Sequence, residues 1–335
     1  MSKIQQLTEK AKKEKRTIVL PEGNDIRVVK AASIAASQDI ANIILLGNKD
    51  TITISANENN IDVTKVKIID PYAHEKTDEF SKLFYELRKH KGITEEEAKK
   101  IVTGNSVYFA GLMVRESLAD GFVAGAFHTS GDVAKAGIYC VGLDRKIGLL
   151  TSCFVVELPD KTFGYEGLFI YGDCGVITYP VAKQLAGIAI ACSDVIEKLF
   201  DIKARTALLS FSTKGSAQGE SIDKVREALQ KIKEKRPDIL VDGELQVDAA
   251  ILPEVAKKKC KDSPVEGKAN VLIFPDLDAG NICYKITQRL AKARVIGPVL
   301  LGLKSPCCDL SRGCGVEEIV DAIALTAVRA QGKEC

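Results

Sequence analysis

Short runs of β-branched and aliphatic residues alternate with longer amphipathic stretches along this chain, and the alternation is typical of a fold in which strands and helices follow one another. In the first half it predicts strands at 17–21, 42–47, 65–70 and 121–126, a helix that ends near Ser37, and two charged helices across 77–103. In the second half it predicts strands at 149–158, 166–175, 206–212, 239–244 and 270–276, with helices at 180–200 and 221–235 and after 276. The fold class predicted from this pattern is α/β.

Two features of the pattern bear on domain organisation. The strands at 149–158 and 166–175 are close enough in sequence to form an antiparallel pair, which often marks a change of domain. The last helix should begin near Gly315, because apolar residues from Val316 to Val328 recur on one helical face. The doubly wound alternation on either side of the antiparallel pair predicts two domains. The sequence shows no internal repeat, low-complexity tract or long Gly/Ser linker, so we expect the two domains to share a tight cleft.

Composition agrees with two globular domains that bind small molecules. The chain has 335 residues, of which 46% are hydrophobic and 27% charged, and domains average roughly 150 residues. Its 47 basic and 45 acidic residues leave a net charge of +2, so no global field favours nucleic acid or an anionic membrane. Every apolar run is shorter than the roughly 20 residues of a membrane span. The charged N-terminus has no apolar signal segment, and we expect a cytoplasmic protein.

The ten cysteines are expected to be reduced in that compartment. Five lie in apolar stretches, where cysteine behaves as a small hydrophobe: Cys140, Cys153, Cys174, Cys192 and Cys283. No C-x-x-C pair occurs, and no histidine stands at zinc-site spacing from Cys307, Cys308 or Cys314. We therefore expect no metal site.

The chain lacks the glycine-rich dinucleotide motif, the P-loop and the nucleophile elbow of hydrolases. Its chemistry should lie in polar loops at strand ends, where α/β sheets bind ligands. The clearest signal for a binding site comes from loop 309–315. In this loop Ser311, Arg312 and two glycines precede the last helix and could bind phosphate or a carboxylate. An ordinary helix start with a capping serine explains it equally well. Glu317 and Glu318 are either partners of the helix dipole or proton acceptors.

Three further strand ends are polar. Loop 210–217, with Lys214, has the ingredients of a phosphate cradle. Loop 274–281 ends at Asn281, with Tyr284 and Lys285 one turn on; the alternative is that its acids simply cap the helix. Segment 128–132 carries His128, Thr129 and Ser130, and a histidine in such a place is more often a hydrogen-bonded loop residue than a base.

Several segments in order resemble the phosphate acetyl/butyryl transferase family. They are PEGND (21–25), LRKHKG (87–92), ADGFVAGAFHTS (119–130), DCG (173–175), LLSFSTKGSA (208–217), DGELQVDAA (242–250), FPDLDAGNI (274–282), IGPVLLGL (296–303) and DLSRGC (309–314). The resemblance spans nearly the whole chain. Its most specific parts are SFSTKGSA, FPDLDAGN and DLSRGC. Their joint occurrence is far stronger evidence for the family than any one of them alone.

The resemblance implies reversible acetyl transfer between acetyl phosphate and coenzyme A, which is a substrate and not a bound cofactor. It also implies two doubly wound domains of isocitrate/isopropylmalate dehydrogenase-like architecture, a site in the interdomain cleft, a homodimer and no metal. We place the domains at 1–147 plus 297–335 and at 148–296. By position, Arg312 would hold the phosphate, Ser311 would bind the reacting groups, Glu318 would take the thiol proton and Arg88 would hold an anionic part of the substrates.

The remaining substrate-binding candidates come from the polar loops and from the basic residues expected near them. They are Thr129, Ser130, Lys135, Lys214, Asn281, Tyr284 and Lys285. The basic members of the site, Arg88, Lys135, Lys214, Lys285 and Arg312, are predicted to converge on one pair of anionic substrates. Cys174 and Cys314 have no sequence-adjacent base, and we assign them no covalent role.

The sequence departs from the family pattern at four places. Glu318 stands where the family usually has Asp, Lys135 replaces an arginine and so loses bidentate geometry, Cys308 replaces an asparagine, and the segment after DCG differs. A phosphate butyryltransferase-like enzyme, an NAD-dependent decarboxylating dehydrogenase of related architecture and a catalytically weakened sensor of the same ligands remain alternatives.

Overall fold

A computed structural model describes residues 1–145 and 147–332 of the chain. The described chain divides into two compact units, the first made of Met1–Leu150 and the segment from Gly302 onward, the second of Thr151–Leu301. The first unit is therefore discontinuous in sequence. These bounds lie three and five residues beyond the ones placed from the sequence, at 150 instead of 147 and at 301 instead of 296.

Thirteen α-helices and eleven β-strands are numbered here in chain order over the described residues. The helices are α1 Lys3–Lys13, α2 Ile26–Ser37, α3 Lys49–Glu58, α4 Thr77–Arg88, α5 Glu95–Gly104, α6 Ser106–Arg115, α7 Ser130–Ala136, α8 Ala182–Phe200, α9 Glu220–Lys235, α10 Val247–Ile251, α11 Pro253–Lys259, α12 Leu277–Leu290 and α13 Val316–Gln331. The strands are β1 Thr17–Leu20, β2 Asn42–Leu46, β3 Lys67–Ile69, β4 Gly121–Ala124, β5 Thr151–Glu157, β6 Leu168–Gly172, β7 Arg205–Leu209, β8 Leu240–Leu245, β9 Val271–Ile273, β10 Arg294–Leu301 and β11 Cys307–Asp309. A 3₁₀ turn spans Lys89–Lys91, and a π-helix, Gly137–Val141, continues α7.

The sheet of the first unit is parallel, with strand order β3, β2, β1, β4, β11. Its strands are almost wholly buried and apolar, as parallel strands covered by helices usually are. The chain moves outward from β1 to β3 and then returns to the other side of β1 with β4. Connections therefore diverge between β1 and β4, which makes this pair the topological switch point where such sheets bind ligands.

Helices of the first unit pack in two groups. One consists of α1, α2 and α13, with α13 lying against β1 and β4. The other consists of α4, α5 and α6, with the rings of Phe80 and Phe109 meeting edge to face at 4.9 Å. Helix α13 carries the apolar stripe that the sequence predicted, and Ile319, Ile323 and Ala327 are fully buried.

The second unit has a mixed sheet with strand order β10, β5, β6, β9, β7, β8. Strand β5 is antiparallel to both β6 and β10, and the other pairs are parallel. The antiparallel pair predicted from 149–158 and 166–175 is confirmed, with Phe154 opposite Tyr171. On one side of the sheet the Phe154 ring stacks on Tyr284 of α12, with centroids 4.0 Å apart. Helix α8 covers the opposite side, where Gly172 faces Cys192 and Ile188.

The α/β fold class is confirmed. Eight elements had not been predicted: α1, α3, α6, α7, α10, α11, β10 and β11. The predicted strand at 65–70 is shorter, covering Lys67–Ile69. Among the described residues, no helix combines the length and the apolar character that crossing a bilayer would need.

Candidate active site at the strand ends of the first unit

Glu22, in the turn after β1, organises the loop after β4. Its side chain is 1% exposed. The carboxylate accepts backbone N–H groups from Gly125 at 3.0 Å, Ala126 at 2.9 Å, Phe127 at 2.9 Å and His128 at 2.8 Å, and it lies 2.9 Å from His128 Nδ1. Burial acts to raise the pKa of Glu22, but these hydrogen bonds, led by those of His128, outweigh it and lower the pKa. The loop is therefore wrapped around a buried negative charge.

Arg27, in the first turn of α2, links three segments of the site. Its Nη1 donates to the carbonyls of Arg312 and Cys314, both at 2.9 Å, and its Nη2 donates to the carbonyl of Ala126 at 3.0 Å. Asp25, the N-cap of α2, holds the guanidinium from the other side, with Nε at 3.0 Å and Nη2 at 2.6 Å from its two oxygens. Segments 21–25, 125–130 and 309–315 thus meet at one edge of the sheet.

The loop after β11 leads into α13 and presents the residues predicted to be catalytic. Ser311 and Arg312 are exposed. The Arg312 guanidinium has no hydrogen bond or salt bridge to another described residue, whereas the Ser311 hydroxyl is 3.4 Å from the Gly313 N–H. The capping serine considered from the sequence is wrong, because the N-cap of α13 is Gly315. An unpaired guanidinium beside a helix N-terminus is suited to bind an anion.

Glu318 occupies the third position of α13 and is partly exposed. One of its carboxylate oxygens accepts from the Gly315 N–H at 3.3 Å, which is half of a capping box, because Gly315 has no side chain to supply the other half. The neighbouring Glu317 is exposed and lies in the same first turn. Both acids therefore lie where they can interact with the helix dipole, and the use of Glu318 as a base stays a prediction.

Asp309, the last residue of β11, is 1% exposed, and within the described chain its Oδ1 has no hydrogen-bond partner. Burial raises its pKa to about 7, against the lowering effect of a hydrogen bond from Ser130 and of the nearby Arg312 charge. A Cβ at Gly125 would lie 2.2 Å from Asp309 Oδ1, and Gly125 has a φ of +116°. Ser130, a predicted substrate contact, therefore also anchors α7 to β11.

The other predicted residues of the first unit lie on the α7 side of the site. Thr129 is the N-cap of α7, where it accepts the Asp132 N–H at 3.2 Å. Lys135 is exposed in the last turn of α7. Arg88, at the end of α4, places its guanidinium 3.7 Å from the ring centroid of Tyr139 in the π-helix that continues α7. The packing orients the Arg88 guanidinium without neutralising it.

In the second unit, Glu244 at the end of β8 shapes the predicted phosphate loop. Its carboxylate accepts from the Ser212 hydroxyl at 3.0 Å, the Gly215 N–H at 2.8 Å and Arg226 Nε at 2.9 Å. Burial acts to raise the pKa of Glu244, but Arg226 and the backbone donors lower it to about 2. Lys214 forms a salt bridge with the buried Asp242. Its predicted contact with substrate would have to compete with that internal pair.

The predicted residues of α12 divide between loop anchoring and core packing. Asn281 donates to the carbonyl of Cys174 at 3.1 Å, and the Lys285 ammonium is hydrogen-bonded to Asn281 and 5.2 Å from the Tyr284 ring centroid. Tyr284 is 7% exposed and stacks in the core. The helix-capping interpretation of loop 274–281 holds, because Asp276 accepts the Ala279 N–H at 2.9 Å. Direct substrate contact by these residues stays a prediction.

The cysteines of the described chain are free, and most are buried. Burial raises the pKa of the Cys314 thiol to about 11 and raises that of Cys174 well above its usual value. Neither thiol is therefore suited to act as a nucleophile near neutral pH. Cys283 is an exception to the predicted burial, since it is partly exposed. Within the described residues, no three His, Cys, Asp or Glu side chains are grouped as metal ligands.

A cavity of about 990 Å³ opens at the strand ends of the first unit. Glu22, Asn48, Asp70, Tyr72, Phe127 and His128 are among its lining residues. None of the substrate-binding residues predicted from the sequence belongs to the described lining. Its walls carry carboxylates and amides but no lysine or arginine, so they favour a neutral or cationic group over a phosphate.

The fold and the exposed Arg312 before α13 define an α/β protein suited to bind an anionic small molecule. Comparison with protein families matches residues 2–327 to the family described as phosphate acetyl/butaryl transferase. The chain belongs to this family. It is 49% identical over 331 residues to a phosphate acetyltransferase of Thermoanaerobacterium thermosaccharolyticum, an alignment that covers 99% of this chain and 100% of that protein.

Two solved structures bear on the fold. A phosphotransacetylase from Streptococcus pyogenes superposes with a TM-score of 0.91 at 36% identity, covering 98% of each chain. A 4-hydroxythreonine-4-phosphate dehydrogenase from Klebsiella pneumoniae has a TM-score of 0.54 at 11% identity, covering 95% of this chain and 100% of that one. The second likeness shows a shared dehydrogenase-like fold, as the sequence predicted, and the dehydrogenase alternative is not favoured.

Sequence reasoning missed three residues that build the site: Glu22, Arg27 and Asp309. Glu22 lies in PEGND and Asp309 begins DLSRGC, so both motifs had been noticed without a role for these acids. Their roles depend on burial and on long-range partners 99 to 287 positions away. The one local signal is the charged pair Asp25 and Arg27 at a helix start.

Proposed function

We propose that this chain catalyses the reversible reaction of acetyl-CoA with phosphate to give CoA and acetyl phosphate, by direct attack in a ternary complex. Toward acetyl-CoA, the CoA sulfur attacks the carbonyl carbon of acetyl phosphate while its proton passes to a base. The tetrahedral oxyanion then collapses, the bond between carbon and the phosphate oxygen breaks, and phosphate leaves. The observation that carries the proposal is the exposed Arg312 guanidinium, held at the start of α13 by a backbone that Arg27 fixes.

Arg312 suits both charged stages of this reaction. A guanidinium stays protonated at any relevant pH and binds phosphate oxygens through two parallel hydrogen bonds. It can stabilise the oxyanion and the leaving phosphate in turn without losing its proton. Ser311, exposed beside it, would donate its hydroxyl to the reacting oxygen atoms.

Glu318 is the proposed base. A free thiol has a pKa of ~8.5 and a free glutamate ~4.3, so proton transfer is unfavourable in water. Arg312 and the N-terminus of α13 would lower the thiol pKa once CoA is bound, because both favour a thiolate. The carboxylate now faces the Gly315 N–H at 3.3 Å, and a small rotation would free it for the thiol.

The assay follows thioester absorbance with acetyl phosphate and CoA. We expect the purified chain to form acetyl-CoA, and Arg312→Ala to lose at least 100-fold in kcat, the range for one oxyanion donor. Arg312→Lys should remain well below wild type because a single ammonium cannot bind two oxygens at once. Failure of the wild-type protein to form acetyl-CoA would reject the proposal.

Glu318→Gln tests the base, with Glu317→Gln as the matched control in the same helical turn. The base assignment predicts a loss of at least 100-fold in kcat for Glu318→Gln, whereas Glu318→Asp should retain more activity. A role confined to helix capping predicts a small change in stability and little change in kcat. Equal turnover in Glu318→Gln and wild type, or a larger loss in Glu317→Gln, would remove Glu318 as the base.

The acyl group is proposed to be acetyl, supported by the names of the curated relatives. In an apolar pocket each methylene is worth ~1–3 kcal/mol, so acetyl and butyryl phosphate should differ clearly in kcat/KM. A preference for butyryl phosphate would favour the butyryltransferase alternative.

The substrate-binding proposals keep all eight residues predicted from the sequence: Arg88, Thr129, Ser130, Lys135, Lys214, Asn281, Tyr284 and Lys285. Arg88 and Lys135 are the clearest, because each has a cationic group available near α7. Arg88→Met and Lys135→Met should raise the KM of CoA at least fivefold with a smaller effect on kcat. Tyr284→Phe, which keeps the stacked ring, separates hydroxyl contact from packing.

We further propose a cytoplasmic homodimer that needs no permanently bound cofactor or metal and has small-molecule partners. The row formed by Ile282, Ile286 and Leu290 on α12, each more than half exposed, supports self-association, since such rows are usually covered. Light scattering of wild type and Ile286→Lys tests the dimer. Activity after chelation and metal analysis tests the absence of a metal.

A further inference from the structure

The loop that carries Arg312 is held from within by one backbone hydrogen bond, from the Cys314 N–H to the Ser311 carbonyl at 2.9 Å, and by the weaker contact of the Gly313 N–H with the Ser311 hydroxyl at 3.4 Å. Gly313 and Gly315 flank Cys314, and both glycines are exposed with no other atom close to the position of a Cβ, apart from the Ser311 hydroxyl 3.9 Å from that of Gly313. Glycine-rich segments populate many backbone conformations, and fixing each residue costs ~1–2 kcal/mol. That turn leaves the Arg312 carbonyl to be bound from outside the loop, and such a contact would help to fix the direction of the Arg312 side chain.

Arg27 supplies that contact. Its Nη1 binds the carbonyls of Arg312 and Cys314 at 2.9 Å each, and so fixes a peptide plane on either side of Gly313. Its Nη2 also binds Ala126 in the loop that Glu22 shapes. A planar guanidinium can serve these acceptors together, whereas a lysine ammonium cannot reproduce the fork.

Arg27 is itself held in place. Asp25 accepts its Nε and Nη2 as a bidentate partner and, as N-cap, also accepts its backbone N–H at 2.9 Å. The pKa of Asp25 is lowered because the Arg27 hydrogen bonds and charge outweigh the effect of burial. Asp25 and Arg27 are thus both charged at neutral pH. The Arg27 side chain is 32% exposed and the Asp25 side chain 16%.

We propose that Arg27 is a positioning residue for acyl transfer, which aligns the Arg312 guanidinium by holding the backbone of 312–314. This inference rests on the proposed function and deepens it. Arg27 touches no reacting atom in the proposal. Its effect on turnover passes through Arg312, so the two residues must be energetically coupled.

A double-mutant cycle measures the coupling. In a wild-type background Arg27→Met should lower kcat/KM for acetyl phosphate at least 30-fold, and Arg27→Lys should recover only part of the loss. In an Arg312→Ala background the same change should cost less than threefold, because contacting residues that act together are not additive. A loss that is equal in both backgrounds, or activity within threefold of wild type for Arg27→Met, overturns the proposal.

Arg236→Met is the matched control. Arg236 binds Asp194 at 2.8 Å and Asp238 at 2.7 Å, and its side chain is 30% exposed, close to the 32% of Arg27. We expect its loss to leave turnover within twofold of wild type. Should Arg27→Met fail to fold, Arg27→Lys takes its place in the cycle.

Hydrogen exchange separates this inference from the proposed function. If wild type makes no acetyl-CoA, the proposed function fails, but the loop can still be examined. Arg27→Lys should increase the exchange rate of the 313–315 amides at least tenfold while helices α2 and α13 stay protected. Unchanged exchange at 313–315 overturns the positioning role whatever the activity.

Discussion

Replacing Glu22 with glutamine tests whether a buried charge shapes the site. The substitution keeps the size of the side chain but puts an NH₂ group where one carboxylate oxygen stood. In the less costly orientation that group replaces Oε2, which accepts from Gly125 at 3.0 Å and Ala126 at 2.9 Å. The Ala126 N–H would then face a donor, and the Gly125 N–H would keep only its contact with Oε1 at 3.1 Å.

The expected loss of stability in Glu22→Gln follows from the hydrogen bonds that Oε2 accepts from Gly125 and Ala126. Hydrogen bonds to a charged group contribute ~1.5–3 kcal/mol each, so Glu22→Gln should lower the free energy of unfolding of the first unit by about 3–6 kcal/mol. The opposite orientation is worse, since Oε1 lies near Gly125, Phe127 and two nitrogen atoms of His128. Activity should also fall, because loop 125–128 adjoins the site.

Urea unfolding at pH 7 measures the loss, with hydrogen exchange at 125–128 reporting the first unit separately. Glu96→Gln is the control, because the Glu96 side chain is 79% exposed and pairs only on the surface with Lys100; it should leave stability unchanged. A loss below about 1 kcal/mol for Glu22→Gln would refute a structural role for the charge, since even one such hydrogen bond contributes more.

The contribution of Glu22 to the free energy of unfolding should decrease as the solution becomes acidic. The folded-state pKa of Glu22 lies below its ordinary value of 4.5, so the stabilisation is complete above 4.5 and is lost as the pH falls through the folded value. The difference between wild type and Glu22→Gln should therefore stay constant from pH 7 to about 5 and narrow below that. A difference that widens on acidification would contradict the argument.

Three further predictions concern other parts of the fold. Gly125→Ala should lower the free energy of unfolding by about 2–4 kcal/mol in urea melts, from strain at positive φ and the clash with Asp309, whereas Gly92→Ala, with open space around it, should show only the strain. Glu244, whose pKa falls from 4.5 to about 2, should contribute roughly 3 kcal/mol above pH 4.5 that disappears toward pH 2, so Glu244→Gln and wild type should converge in acid. Cys314, whose pKa is about 11, should react with iodoacetamide at pH 7.5 much more slowly than free cysteine; rapid labelling that also inactivates the protein would contradict its assignment as a buried, inert thiol.

The strands and helices predicted best are those whose apolar period is uninterrupted. Helix α13 and the β5/β6 pair were predicted within a few residues because their patterns are long and bounded by polar turns. Strand β10 was missed as a strand because Gly297 and Pro298 interrupt its apolar run. In the structure it still pairs with β5 on both sides of that break, where the register shifts.

The site was predictable where chemistry depends on exposed local motifs. Arg312 and Ser311 stand next to each other in sequence, and a helix start is recognisable from its glycines and acids. Glu22 and Arg27 could not be placed in the same way, because their roles come from burial and from partners that the fold brings together. The structure also gives Tyr284 and Lys214 internal contacts that residue type alone does not reveal.

The buried acids decide where an anion can bind at the strand ends of the first unit. Backbone N–H groups in a loop such as 125–128 are the usual anion ligands of α/β folds. Here Glu22 already occupies them, and its pKa is lowered by the same contacts. An incoming phosphate would meet a negative charge at that loop, whereas Arg312 at the start of α13 offers a guanidinium with no partner among the described residues. If Arg312 binds the anionic substrate as proposed, Glu22 has a second role besides ordering the loop, because its charge would disfavour binding of that substrate at 125–128.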